Sequence, residues 1–483
     1  MKKRISLVIA LIMVLTMVFA ACTATPDAPA GDSAAPATPD APAAADEPAD
    51  ADAPAASAES SYDQIMKLLE NPESALALNG IQPKEYASRA SVPKGLDAIT
   101  PKADVKDLKV AWAASQLGSE FFEGLRDAAQ GEAKALGMNP IDLRSADLSL
   151  ETQNQQIEDF VTSGIDALLL NAVDLHAQAQ IIKEVSDKGI PIVVTGPTAS
   201  KPEYQIISAI ISGSNESGFI GGVYSAEKLY KAGEVLKVGF VVAKLEDADS
   251  NSRPCGWIAG YLYKVAEIEG TPYASKYDAI LEAFNIWTAF KSDRKYDLSE
   301  KGLNLAWLGV GEGLDVAKGQ QATADQLTGN PDTNLIVVEM DSMGYGAIQE
   351  CKQQGKTPGE DIFIITGGNA ARQALDYIKS GEMMATATNI PFIPATTLVD
   401  VVYDLFVGGR ASAPDAANTP EKAAAYYNDL PATSFMPTML ITKENVDKYY
   451  PTAPETQFDG TFALYDPWTP ISIPDYNALH AND

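Results

Sequence analysis

Apolar and polar positions along residues 106–213 switch between two spacings. Leu108 to Ala113 predicts a strand. Phe121 to Leu136 predicts a helix, because Phe122, Leu125, Ala129, Ala133 and Leu136 recur on one face before Gly137. Ile141 to Leu143 is the next strand, and Leu150 to Ser163 a helix closed by Gly164. Ala167 to Leu170 is a continuous apolar run, as expected of a strand buried on both faces. Ala177 to Lys188 predicts a helix closed by Gly189, followed by a strand over Ile190 to Val194. The pattern restarts after about residue 214. It predicts strands over Val235–Val242, Asn334–Val338, Ile362–Ile365 and Ala385–Thr388, and helices over Ala317–Leu327, Tyr345–Gln354 and Ala371–Lys379. Strands alternating with helices at this spacing imply an α/β fold, with parallel sheets covered by helices on both faces. Two such units in tandem predict two lobes. Residues 270–300, with Trp287, Phe290 and Tyr296, exceed what one unit needs and read as an insertion near the second lobe.

The ends of the chain follow other rules. Lys2, Lys3 and Arg4 precede an apolar run from Ile5 to Phe19, and Phe19-Ala20-Ala21-Cys22 closes it. A basic start, a short apolar core and small residues before a cut read as an export signal over residues 1–22. The run is shorter than the ~20 residues of a free-standing membrane helix. Its end resembles the lipobox of bacterial lipoproteins, which implies lipidation of Cys22 with palmitate-type chains and a membrane anchor. Residues 23–60 are dominated by Ala, Pro, Asp, Glu, Ser and Thr, without a basic or large apolar side chain, and predict a disordered acidic spacer. Residues 61–105 read as an N-terminal arm with one helical stretch, Tyr62 to Leu69, that packs on the main body. Residues 451–483, with Trp468, form a C-terminal extension.

Composition narrows the chemistry. A formal net charge of −29 excludes nucleic acid as a partner and repels an anionic membrane surface, so attachment falls to the lipid. The histidines are His176 and His480. That removes Cys/His zinc sites and most histidine-activated nucleophiles, and points away from an enzyme. Asp247-x-Asp249-x-Asn251 begins like a calcium loop but carries Ser252 where glycine is required and Ile258 where the bidentate glutamate belongs. Gly309-Val310-Gly311-Glu312-Gly313 reads as a turn rather than a dinucleotide loop. No metal or cofactor is expected. Cys255 and Cys351 are either bridged or, on the simpler reading, two buried small hydrophobic residues.

The order of short motifs resembles one family. Gly118-Ser119-Glu120-Phe121-Phe122, Gly164-Ile165-Asp166-Ala167-Leu168, Gly189-Ile190-Pro191-Ile192-Val193, Asn215-x-x-Gly218-x-x-x-Gly222, Asn330-Pro331-Asp332 and Gly381 with Pro391 follow the type I periplasmic solute-binding proteins, ribose-binding branch. The resemblance covers residues 106–450 and implies two Rossmann-like lobes joined by three hinge crossovers. The N-terminal lobe would comprise 106–213 and 391–432, and the C-terminal lobe 214–390 and 433–450. It further implies capture of a small polar ligand, a sugar or sugar-like compound, by a monomer that delivers it to an ABC permease and its ATPase on the outer face of the cell membrane. The site residues it implies are Ser119, Glu120, Phe121, Phe122, Asn171, Gly196, Asn215, Arg253, Asp341, Asn369 and Asn389. Ser119 and Glu120 also read as helix caps, and Phe122 as core.

Several positions depart from the ribose-binding pattern. Gly196-Pro197 replaces an Asp-Arg pair, Cys255 an arginine with Arg253 two residues earlier, Met340 an asparagine, Asn369 an aspartate and Asn389 a glutamine. A lattice of sugar hydroxyls depends on charged bidentate partners. Their loss argues for a modified sugar, polyol, nucleoside or other small polar ligand. The alternatives are a protein feeding a sensor kinase or chemoreceptor, and an extracellular carbohydrate-active enzyme built on Asp341 and Glu120.

Overall fold

The computed structural model describes residues 59–81, 100–175, 177–196, 206, 208–407, 433–436 and 438–449, and the short strands 456–458, 463–465 and 471–472. The expected signal peptide, Cys22, the spacer up to residue 58, His176, Pro197, Trp468 and His480 lie outside the described residues.

The arm contains a second helix beyond the expected one. Helix α1 (Ser61–Leu69) starts where the Ser60 side chain accepts from the Asp63 backbone N–H. Helix α2 (Pro72–Ala77) starts where Asn71 accepts from Glu73 and Ser74, with proline at the first helical position. Ile65, Leu69, Ala77 and Leu78 bury their side chains in the core of the second lobe.

The first lobe runs β1 (Val110–Ala114), α3 (Glu120–Ala135), β2 (Asp142–Ser145), α4 (Leu150–Ser163), β3 (Ala167–Leu170), α5 (Ala179–Asp187), β4 (Ile192–Thr195) and β5 (Ser208–Ser212). All four residues of β3 are buried, as its unbroken apolar run requires. The chain then crosses into the second lobe. There it forms α6 (Ser214–Leu229), β6 (Leu236–Val242), α7 (Ala248–Ile268), α8 (Lys276–Asp293), β7 (Tyr296–Leu298), β8 (Leu303–Val310), α9 (Val316–Gly329), β9 (Leu335–Val338), α10 (Asp341–Gln353), β10 (Phe363–Thr366), α11 (Arg372–Ser380) and β11 (Ala385–Ala387). Helix α12 (Phe392–Phe406) and β12 (Thr433–Met436) return to the first lobe, and β13 (Leu440–Thr442) goes back to the second. Strands β14 (Thr456–Phe458) and β15 (Ala463–Tyr465) pair with each other, and β16 (Ile471–Ser472) edges the first sheet.

The sheets have seven strands each, in the orders β16-β12-β5-β4-β3-β1-β2 and β13-β11-β10-β9-β6-β8-β7. Pairing is parallel except at the edge strands β16, β13 and β7. This is the expected two-lobed α/β architecture, with two refinements. Strand β12 pairs parallel with β5, Thr433 opposite Ala209, so residues 433–436 belong to the first sheet rather than to the second-lobe segment 433–450. The last crossing falls after Met436. Residues 270–300 form α8 and β7, an integral layer of the second lobe. Trp287 and Phe290 of α8 are buried against the Phe240 ring of β6, at 6.0 and 5.7 Å between centroids. Cys255 and Cys351 are both free and buried.

Helices α6 and α7 approach until backbone meets backbone. A Cβ on Gly218 or Gly222 would lie 2.0 Å from the carbonyl oxygen of Arg253 or Trp257, and one on Gly256 or Gly260 would lie 2.0 or 1.9 Å from that of Asn215 or Phe219. Only glycine fits at these positions. Gly222→Ala should therefore cost about 1–3 kcal/mol in urea unfolding, as overpacking does. Gly131→Ala, in α3 with nothing within 4 Å of the new methyl, should be neutral or slightly stabilising.

Candidate ligand-binding cleft

Parallel strands place their carboxyl ends on one side of each sheet, and the loops there face a common cleft. From the first lobe come Ser115 and Gln116 after β1, Asn171 to Leu175 after β3, and Thr195 and Gly196 at β4. Phe121 and Phe122 come from the first turn of α3. The second lobe contributes Leu245 to Asp249, from the loop after β6 into the first turn of α7, and Lys291 of α8. Asn389 stands on the crossover after β11, and α2 of the arm adds Pro72, Glu73, Ala75 and Leu76. Together these residues line a cavity of about 650 Å³, within the range of small-ligand sites.

The apolar wall is aromatic. Phe121 and Phe122 are half-buried, pack on the first-lobe core with Leu125, and meet edge to face at 5.4 Å. Behind them lies a rigid polar frame. Asn171 is buried, accepts from the Ser115 hydroxyl and donates Nδ2 to the Thr195 carbonyl at 3.1 Å. Its own carbonyl accepts from Gln153 Nε2 at 2.9 Å. Gly196 has φ +95°, and a Cβ there would lie 2.8 Å from Asn171 Nδ2, so glycine is needed for this bracing.

The second-lobe frame is equally committed. Asp341 accepts from the hydroxyls of Thr366 (2.5 Å) and Thr386 (2.7 Å) and from the backbone N–H groups of Asn369 (2.8 Å) and Ala371 (3.0 Å), tying together the ends of β9, β10 and β11. Arg253 is buried, donates to the Glu339 carbonyl at 2.7 Å and pairs with Asp249 at 3.3 Å. Asp247 caps α7 through the N–H groups of Asp249 and Ser250, which is the role of the calcium-like motif here. Among the described residues no cluster of His, Cys, Asp and Glu could hold a metal ion.

Asn389 differs from this frame. It is 7% exposed and lines the cavity. Its Nδ2 reaches Asn369 Oδ1 at 3.5 Å, while its Oδ1 has no hydrogen-bond donor. A buried acceptor without a donor is costly, and the cavity is where a donor can arrive.

The structure thus brings Phe121, Phe122, Asn171, Gly196 and Asn389 to the lining. Ser119 sits at the N-cap position of α3 without making a capping hydrogen bond, and Glu120 is the first residue of that helix. Arg253, Asp341 and Asn369 stand behind the lining. Asn215 faces the arm, donating Nδ2 to the Ala77 carbonyl at 3.2 Å and its backbone N–H to Asn79 at 3.1 Å. Trp257 and Trp287 are core. Sequence reading missed Glu73, Leu76 and Asn79 of the arm, which no local pattern ties to the cleft. The Asp247-x-Asp249 motif, weighed in the sequence for calcium alone, also lies on the cavity lining.

Two parallel-sheet lobes sharing a cleft at the carboxyl ends of their strands, linked by crossovers, define a two-lobed solute-binding protein. The chain belongs to the periplasmic binding protein domain family, which matches residues 110–410. It is 24% identical over 305 residues to the ribose import binding protein of Bacillus subtilis, covering 63% of this chain and 84% of that one. It is 22% identical over 334 residues to a putative rhizopine-binding protein of Rhizobium meliloti, covering 68% and 88%. Among solved structures, it superposes with a TM-score of 0.53 and 21% identity on an ABC transporter solute-binding protein from Bacillus halodurans with bound myo-inositol, over 72% of this chain and 99% of that one. A solute-binding protein from Mycobacterium smegmatis with bound glycerol gives 0.54 at 18% identity, over 74% and 99%. The family is one of binding proteins, in agreement with the expectation of a chain that is not an enzyme.

Glu339, behind the cleft floor, yields a pH prediction. Burial, and then the negative charge of Asp247, push its carboxyl well above the usual range; Arg253, the Ser250 hydroxyl and the Ala243 N–H offset this in part. A carboxyl raised by folding binds its proton more tightly in the native state. Its contribution to stability is therefore complete below the unfolded value of 4.5 and declines as pH rises through the raised native value. Glu339→Gln should reduce the loss of stability between about pH 5 and about pH 8, read as denaturation midpoints beside the parent chain. An unchanged difference between the two pH values would show that Glu339 is ionised throughout.

Proposed function

We propose that this chain is an extracytoplasmic solute-binding protein. It captures a small polyhydroxylated compound, a sugar or sugar-like molecule, between its lobes and hands it to an ABC permease, tethered to the membrane through lipidated Cys22. The observation that carries this reading is the cavity itself. An aromatic wall, Phe121 and Phe122, lies in the same cavity as the open acceptor Asn389 at a crossover. Aromatic faces cover the C–H surface of a ring, and directed polar groups take its hydroxyls. The ligands named for the relatives and structural neighbours, ribose, myo-inositol and glycerol, are of this chemistry.

The lobes meet through crossovers that are themselves hydrogen-bonded. Thr388 N donates to the Met439 carbonyl at 2.8 Å, and Met439 N donates to Thr388 Oγ1 at 2.8 Å. Such a hinge allows closure about the cleft while keeping each sheet intact. A ligand that touches both lobes stabilises the closed state, and a permease partner reads that state.

Thermal melting of the mature chain against sugars, polyols and nucleosides tests this. A ligand at about 100 times its dissociation constant adds roughly 2.7 kcal/mol and raises the midpoint. Phe121→Ala should weaken that ligand by ~1–2 kcal/mol through lost aromatic contact, measured by titration calorimetry. A panel that leaves the midpoint of the folded chain unmoved would contradict the assignment of ligand class.

A further inference from the structure

Residues 59–81 lie outside the stretch that matches the family, yet part of them closes the cleft. The arm is built into the second lobe. Ile65, Leu69 and Leu78 are in its core, and the Ser61 hydroxyl bonds Asp278 of α8. The carbonyls of Asn79 and Ala77 accept from the backbone and side chain of Asn215, at the start of α6. Gly80, at φ +95°, lies against the crossover backbone; a Cβ there would come within 3.1 Å of Ser214 N and 3.2 Å of Gly213 Cα. Fixed in this way, α2 lines the same cavity as Phe121, Leu148 and Leu175 of the first lobe, presenting Glu73 and Leu76.

Charge then bears on what enters. The carboxylates of Glu73, Asp174, Glu246, Asp247 and Asp249 belong to the lining, against the cations of Lys291 and of the buried Arg253 that pairs with Asp249. Lys291 already lies 4.0 Å from Glu73 and 3.4 Å from the Asn251 amide oxygen. An anionic ligand would meet net repulsion at short range. Independently, the buried Oδ1 of Asn389 has no donor within the protein, and a ligand hydroxyl or ammonium that enters the cavity can supply one. We propose that residues 72–79 form a third, ligand-selecting wall of the cleft, which accepts neutral or amine-bearing polyhydroxyl compounds and rejects phosphorylated or carboxylated ones. This rests on the capture function proposed above and extends it.

A thiol reporter tests the wall without a ligand. Val173, half-buried on the first-lobe side of the cavity, is changed to cysteine in the mature chain carrying Cys22→Ser; Cys255 and Cys351 are buried. Iodoacetamide and iodoacetate are compared, with the unfolded chain as the reference for intrinsic reactivity. Iodoacetate should be slower at the introduced thiol by at least about fivefold more than in the reference. Glu73→Gln should narrow that gap, and Leu76→Trp should slow both reagents. Should the tryptophan variant not fold, Leu76→Ala should speed both. Equal relative rates, or rates indifferent to Glu73 and Leu76, would overturn the proposal. Melting with D-ribose against D-ribose 5-phosphate, and with D-glucosamine against D-glucuronate, supplies the second arm. Preference for the anion in either pair overturns the selection. A flat panel with asymmetric labelling supports the wall and contradicts the capture reading. A binding panel with symmetric labelling does the reverse.

Discussion

The contact of α6 with α7 is the constraint on which the rest of the molecule depends. Glycines at 218, 222, 256 and 260 let two backbones meet at a distance no side chain would allow. Helix α6 begins where the chain leaves the first lobe, and α7 begins on the cleft floor with Asp247, Asp249 and Arg253. Asn215, in the first turn of α6, holds the arm. One helix pair therefore sets the position of a hinge strand, a cleft wall and an appended segment relative to one another. Any residue larger than glycine would separate them together.

A division of labour follows from hydrogen-bond accounting. Asp341 and Asn171 spend their polar atoms inside the protein, each tying strand ends that frame the cleft. Arg253 likewise braces the floor. Among the lining residues, the Phe121 and Phe122 rings and the Asn389 oxygen are not committed in this way. A frame braced by such bonds holds its shape without a ligand, so less ordering cost remains for binding. The carboxylate of Asp341, one half of the pair considered for glycoside hydrolysis, is surrounded by four donors. That is the setting of a structural anchor, not of a catalytic acid.

Much of the fold was legible because periodicity reports burial. The runs at Ala167–Leu170 and Leu335–Val338 are strands buried throughout, and Gly164 and Gly381 end helices in the left-handed conformation their positions call for. Helices α6 and α7 were harder to read. Their glycines and residues buried on several sides blur the amphipathic stripe, and they were marked by the resemblance alone, α6 at Asn215–Gly222 and α7 at Arg253 and Cys255. Strand β8 and the layer formed by α8 and β7 were missed or taken for an insertion for a similar reason. Phe121 and Asn389 were placed near the cleft by the resemblance to the solute-binding family, whose ligand loops stand at strand ends. The contribution of Glu73 and Leu76 was not legible, since it arises from a tertiary contact between segments more than 130 residues apart, as in the Asn215 bond to Ala77.

A crystal structure of the mature chain with whichever compound stabilises it most tests the central claim directly. The account predicts ligand density in the three-walled cleft, stacked on Phe121, donating to Asn389 Oδ1 and touching Leu76 of the arm. Density at any other surface, or a ligand held in the cleft without contact to either Phe121 or Asn389, would contradict it.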